Sequence, residues 1–421
     1  MSSRRFGGLP SWASVQRGPD SSVVLAIALA AGIASFAMNF WIPFLPLYMK
    51  DLGATSDANA LFWVGVATSV QGVGRLVTGP LWGILSDRYG RRLMFIRALG
   101  FASATTAIAA FATEPWHIAV AFGCQGIFSG FIPAAVALTS VSVSDARLNP
   151  ALSLVTGAQY LGNTVGPAVG ALLAIALGMR GAIVAAAIMP ALAGIMVIAI
   201  VPRDDAGRRA THADPEDAPV DGQRPADAFW RTLGFQFFLA LFFYFFLFGG
   251  TQVVRLATPL ALADLQGGGN VEGIVGVAFT LAGIASMVGV LLVGRRYVTP
   301  GRFKVMLGLG CAATGIAHVL LALSPIVTAY VVAFCAISLL QAAMLPASNT
   351  LIASNVARQR RGTAFGLAGS AQALAFIVGP MAAAWFAAVS MTMGFAVLGG
   401  LFLAMGAVMA LRMREPRLGE R

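Results

Sequence analysis

Charge is what this 421-residue chain has little of. Only 11% of its residues are Asp, Glu, Lys or Arg, less than half the ~25% of a soluble globular chain. So few charges cannot cover a water-facing surface, whereas a lipid-facing surface needs none. Cysteine is nearly missing: Cys124, Cys311 and Cys335 each lie in an apolar run, with no CxxC or Cys/His cluster, which excludes a disulfide framework and a zinc site. No GxxxxGK[ST] phosphate loop, nucleophile–base pair or metal-ligand spacing is present. The expectation is therefore no enzyme, no cofactor, no metal and no ATP-driven cycle within this chain. Short alternating segments are missing too, which excludes an outer-membrane barrel.

What is present is hydrophobic sequence, 58% of the chain, in runs near the ~20 residues that cross a bilayer as helix. Helix satisfies every backbone N–H and C=O within its own segment. The polar punctuation predicts twelve spans: 23–48, 61–84, 93–112, 117–141, 151–177 and 182–201, then 229–260, 274–293, 303–323, 326–353, 363–389 and 393–411. The first run is too long for a signal-peptide core and lacks a cleavage site, so it reads as a retained span. The fold class expected is an all-α membrane protein of twelve transmembrane helices in two pseudo-symmetric six-helix bundles. Its domains would be residues 1–201, a linker at 202–228, and residues 229–421.

The net charge of +11 has no basic patch with interleaved aromatics, so nucleic acid is excluded as a partner. Its placement is that of a membrane protein. With the N-terminus inside, cytoplasmic segments hold Arg4, Arg5, Arg17, Arg88, Arg91, Arg92, Arg97, Arg147, Arg295, Arg296, Arg302, Lys304, Arg358, Arg360, Arg361 and the C-terminal arginines. The outer segments hold only Lys50 and Arg180. This predicts an inner-membrane, multi-pass chain with both termini and an Asp- and Pro-rich linker in the cytoplasm.

The halves repeat. Gly157-Ala158-Gln159 and Gly166-Pro167 in span 5 match Ser370-Ala371-Gln372 and Gly379-Pro380 in span 11, 213 positions later. The same offset relates Pro133 to Pro346 and Pro46 to Pro259. Two six-span halves around a path at their interface is a transporter design, with the site near the midplane.

Between spans 2 and 3 stands Gly83-Ile84-Leu85-Ser86-Asp87-Arg88-Tyr89-Gly90-Arg91-Arg92. This resembles the cytoplasmic loop signature of the major facilitator superfamily, G-x-L-x-D-R-x-G-R-R. Physically, Gly83 and Gly90 allow a tight turn, and Asp87 can sit against a helix N-terminus and pair with an arginine. Together with Arg88, Arg91 and Arg92 it would form a charge latch between the halves. The matching loop of the second half has Val298 where the acid would be. Span 5 carries Gly157, Gly162, Gly166, Pro167 and Gly170, which resembles the Gly-Pro signature of the twelve-span drug/proton antiporters in that superfamily. The run Ile42-Pro43-Phe44-Leu45-Pro46-Leu47-Tyr48 also resembles the end of span 1 in multidrug exporters. The resemblance implies export of a small amphipathic compound such as a drug, a siderophore or another secreted metabolite. It further implies alternating access in a single chain working as a monomer, with protons as the coupling ion.

Two departures bear on coupling. Where the family places an arginine on span 4, ahead of Gly126, this chain has Phe122, and all 17 acids lie in loops, tails or span ends. Asp87, or Asp51, Asp264 and Glu272 near the outer mouth, are the candidate titrating groups. Inside the spans the costly residues are arginines, Arg75 in span 2 and Arg255 in span 7, and an intramembrane charge is by default a functional residue. A cavity with both and no acid would favour anionic or metal-chelating solutes, which keeps open an importer or facilitator of the same fold. Further cavity candidates are Asn39, Gln125, Gln159, Tyr160, Asn163, Tyr244, Gln252, Gln341, Asn349 and Gln372.

Overall fold

A computed structural model describes residues 19–143, 145–203, 234–267, 271–294, 302–356 and 361–415. Almost all of the expected linker, and Val298 of the second-half loop, lie outside the described residues. Among the described residues the secondary structure is entirely helical, and eleven helices are long and apolar enough to cross a membrane. One of them, Leu154–Ile200, has 47 residues, about 70 Å of helix at ~1.5 Å per residue. That is twice a ~30 Å hydrocarbon core, so the run crosses twice. Its turn is at Gly178, where φ is 69° and ψ is 166°, a conformation open to glycine and strained for other residues. Spans 5 and 6 are therefore residues 145–177 and 179–200, and the expectation of twelve crossings stands.

Prolines and glycines break two spans where apolar runs alone suggest continuity. Span 1 is Pro19–Trp41, a 3-10 turn at Ile42–Phe44, then Leu45–Asp51. Pro43 and Pro46 each remove a backbone donor, and each sits at the start of its short helix, where that donor has no partner anyway. Span 4 is Pro115–Phe128 and Phe131–Ser142, interrupted at Gly130 with φ 139°. The other spans are Asp57–Tyr89 (2), Arg91–Ala110 (3), Phe235–Gln266 (7), Val271–Val288 with a π turn at Gly289–Gly294 (8), Phe303–Ala322 (9), Val327–Ser354 (10), Arg361–Val389 (11) and Met391–Arg412 (12).

The duplication read from sequence reappears as matched packing. A methyl group on Gly166 would lie 3.2 Å from the Asn39 carbonyl carbon in span 1. A methyl on Gly379 would lie 2.7 Å from Cβ of Gln252 in span 7. Both residue pairs are 213 positions apart. Each half thus seats the glycine of its fifth helix on the same turn of its first, and small residues let the backbones approach.

Among the described residues the halves join at one end. Span 2 meets span 11 where Gly65 faces Met381 and Gly72 faces Ile377. Span 8 meets span 5 where Gly276 faces Ala171 and Gly283 faces Thr164. One buried cluster there contains residues of both halves, among them Phe40, Tyr48 and Leu61 with Leu256, Leu260 and Val275. At the end bearing the Gly83–Arg92 loop, a separate cluster, including Ile27, Phe95, Leu138, Val155 and Val197, belongs to the first half alone. Toward that end Gly79 of span 2 and Gly369 of span 11 face open space.

Span 2 ends and span 3 begins on a single residue, Gly90, with φ 97° and ψ 141°. A side chain there is strained by about 1–3 kcal/mol. Gly90→Ala is expected to lower the midpoint of thermal unfolding in detergent, whereas Gly100→Ala, at an open helical position in span 3, leaves it unchanged.

Candidate functional site

Span 2 presents a polar stripe along its middle. Val64, Thr68, Gln71, Gly72, Arg75 and Leu76 recur at spacings of three and four, so they share a face. That face lines a cavity of about 380 Å³ between the halves. Span 1 adds Asn39, Ile42 and Leu45, and span 4 adds Phe122. From the second half come Gln252, Arg255 and Leu256 of span 7, with Gly369, Ser370, Ala373 and Phe376 of span 11. The volume suits a small organic molecule. The lining has apolar side chains, neutral amides and hydroxyls, and two guanidinium groups, and among the described residues no carboxylate lines it.

The polar groups are connected across the interface. Arg255 Nη2 donates to Asn39 Oδ1, a bond from the second half to the first. Asn39 Nδ2 in turn donates to the Ser35 carbonyl at 3.0 Å and to Asn163 Oδ1 of span 5 at 2.6 Å. Gln71 Nε2 donates to Gln125 Oε1. Gln125 is itself buried, with its Nε2 at 3.1 Å from Met38 Sδ. Arg75 is exposed and lines the cavity. Phe122 packs edge-on against Trp41 at 5.7 Å, an apolar plate where the family signature has a cation.

Of the twelve candidate cavity residues, the structure brings Asn39, Arg75, Gln252 and Arg255 into the lining. Asn163 and Gln125 stand one bond behind it. Arg255 lies about three turns before the C-terminal end of span 7, Phe235–Gln266. Gln341 accepts from Thr251 Oγ1 at 2.7 Å inside the second half. Tyr244 packs on Phe248 at 4.8 Å, and Phe248 reaches cavity-lining Phe376 at 6.3 Å. Gln159 is buried with Nε2 unpartnered. Asn349 and Gln372 are half-buried outside the lining, and the Tyr160 side chain lies outside the described residues. Thr68, Gln71 and Ser370 escaped the sequence reading. Gln71 had a legible signal, a polar residue one helical turn from Arg75.

Comparison with known proteins bears directly on this architecture. The family model of the Major Facilitator Superfamily matches residues 27–312 and 259–421. The chain belongs to the major facilitator superfamily. It is a multi-pass membrane protein of a transporter family. Among curated relatives it is 28% identical to the multidrug resistance protein MdtG of Proteus mirabilis over 360 residues, 82% of this chain and 84% of that one. It is 30% identical to the multi-drug resistance efflux pump PmrA of Streptococcus pneumoniae over 168 residues, 40% of this chain and 42% of the pump. Among solved structures, a bacterial homolog of the human lysosomal transporter Spinster in its inward-facing, unoccupied conformation has the same fold. The TM-score is 0.74 at 14% identity, covering 94% of this chain and 97% of that one.

Two arginines of the superfamily's loop signature bond to carbonyls of their own half. Arg92 Nη2 donates to the Ile198 carbonyl at 2.7 Å and Arg91 Nη1 to the Ala137 carbonyl at 3.4 Å. Ile198 lies in the last turn of span 6, where carbonyls lack intrahelical donors and the dipole favours cations, and Ala137 lies in span 4. Arg88 stacks over Tyr89 at 5.5 Å. The side chains of Gly83 and Asp87 lie outside the described residues. The span-5 signature is a packing stripe: a methyl on Gly162 would lie 2.5 Å from the Gly32 carbonyl oxygen, and one on Gly170 would strike the Phe40 carbonyl. Pro167 is buried between Gly166 and Gly170, whereas Gly157 faces open space.

Proposed function

We propose that the chain is a secondary active exporter of small amphipathic compounds, a drug, a siderophore or another secreted metabolite, in a bacterial inner membrane. The observation that carries this reading is a cavity shared by both halves, sealed at one end and, among the described residues, open at the arginine-bearing end. Loops rich in Lys and Arg stay cytoplasmic, so the open end faces the cytoplasm, the loading state for an exporter, and both termini lie inside. The names of the relatives, a multidrug resistance protein and a multi-drug efflux pump, support export. Residues 1–201 and 229–421 are then the rocking units, linked by 202–228, and one chain holds the whole path, so it works as a monomer. Closing the open end brings the Asp87 loop against the second half, where Gly83, Asp87, Arg88, Gly90, Arg91 and Arg92 act as the latch.

Protons are the proposed coupling ion, and their carriers are the carboxylates at the sealed end. Asp51 feels the charges of Glu272 and Arg180, and Asp264 those of Asp57 and Lys50, so these acids gather where the halves meet. The Lys50–Asp57 pair at 2.8 Å is partly exposed and contributes about 0–1 kcal/mol. Uptake by everted membrane vesicles tests the reading. Accumulation of an amphipathic compound above its outside concentration, abolished by an uncoupler, is expected. Equilibration without accumulation would make the chain a facilitator.

A further inference from the structure

We propose that the central cavity binds amphipathic organic anions, with the anionic group held between Arg75 of the first half and Arg255 of the second. This rests on the efflux reading above and names its substrate class. The two guanidinium groups enter one cavity from opposite halves. Neither meets a carboxylate among the described residues, and Arg75 has no hydrogen-bond partner there. Arg255 commits one N–H, to Asn39, leaving the rest of its donor fork free. Cations within membrane spans and without counter-charge are unfavourable. An entering anion removes that cost at both sites and gains charge-assisted, bidentate bonds. A cationic compound would find no partner and two repelling charges. The lining also carries the apolar rings of Phe122 and Phe376, which suits a carboxylate, sulfonate or phosphonate on a hydrophobic body.

The placement also couples binding to motion. In the empty cavity, like charges on facing halves oppose closure of the open end. An anion bridging them cancels that repulsion and ties the halves together around the substrate. The field then assists export: at an inside-negative potential, one negative charge is favoured outside by about 50-fold per 100 mV. Proton entry and anion exit move charge in the same sense, so a cavity without carboxylates is compatible with antiport.

The test uses the full chain in proteoliposomes loaded with 5-carboxyfluorescein or taurocholate as anions and ethidium or tetraphenylphosphonium as cations. Valinomycin and a potassium gradient set an inside-negative potential. Both anions are expected to leave at least 10-fold faster than from protein-free liposomes, faster still under the potential, with the cations retained. Arg75→Gln and Arg255→Gln are each expected to slow anion release about 10-fold or more, and Arg75→Lys and Arg255→Lys to recover part of it. Size-exclusion profiles of the Gln variants separate lost binding from lost folding. Release of the cations but not the anions overturns the anion assignment and leaves efflux standing. Anion release unaffected by a folded Arg75→Gln, Arg255→Gln double variant removes the arginines from the site. Release of none of the four probes overturns the efflux reading itself.

Discussion

Gly170→Val is expected to abolish transport while leaving the chain in the membrane. Insertion depends on hydropathy, which the substitution raises. Assembly depends on the approach of spans 1 and 5, and there the added carbons have no room. Even a methyl on Gly170 would strike the Phe40 carbonyl, and Gly162 and Gly166 are already close to the same helix. The three glycines recur every fourth residue, so they form one face. The clash is with backbone rather than a flexible side chain, and relief requires the helices to separate. Overpacking a core costs about 1–3 kcal/mol, and this site cannot yield by a rotamer change. Separation also breaks the 2.6 Å Asn39–Asn163 bond and moves the Asn39 that Arg255 holds. The expected result is normal membrane abundance, a broadened size-exclusion profile and transport reduced at least 100-fold. Gly157→Val lies on the same helix and faces open space, so it is expected to leave the profile sharp. An unchanged profile for Gly170→Val would mean that spans 1 and 5 do not pack through this stripe.

The second large effect comes from locking the sealed end. A Cβ on Gly65 would lie 3.5 Å from the Met381 backbone nitrogen, so cysteines at both positions bring their Cβ atoms within reach of a disulfide. In a background where Cys124, Cys311 and Cys335 are replaced, Gly65→Cys with Met381→Cys is expected to cross-link on oxidation. Export then falls below about 5% of the reduced protein and returns on adding a reductant, because spans 2 and 11 must part there for the cavity to open outward. Full transport by the cross-linked protein would mean that the halves do not separate at this end.

Much of the architecture was legible because a bilayer imposes it residue by residue. Helices had to be long, apolar and poor in charge, and the expected span limits fall within six residues of those observed. Breaks inside spans were harder. The boundary expected between residues 177 and 182 coincides with the turn at Gly178, but Gly130 and Ile42–Phe44 interrupt helices whose hydropathy never falters. These depend on single backbone conformations that hydropathy does not report. The cavity was legible only in part. Arg75 and Arg255 were visible because a charge in hydrocarbon is costly and scarce. Gln341, Tyr244 and Gln125 carried the same polar signal as Asn39 and Gln252, yet they serve contacts inside a half or behind the lining.

By itself the sequence determined that this is a twelve-crossing, duplicated helical membrane protein with a superfamily loop and a span-5 glycine stripe. Those properties follow from local hydropathy, charge placement and residues at a fixed offset. Only the tertiary structure decided which face of each helix turns inward, that Arg75 and Arg255 share one cavity, and which end is sealed. Helix rotation and the meeting of spans 2 with 11 and 5 with 8 arise from packing between residues hundreds of positions apart, where glycines and side-chain volumes, rather than any local pattern, fix the approach.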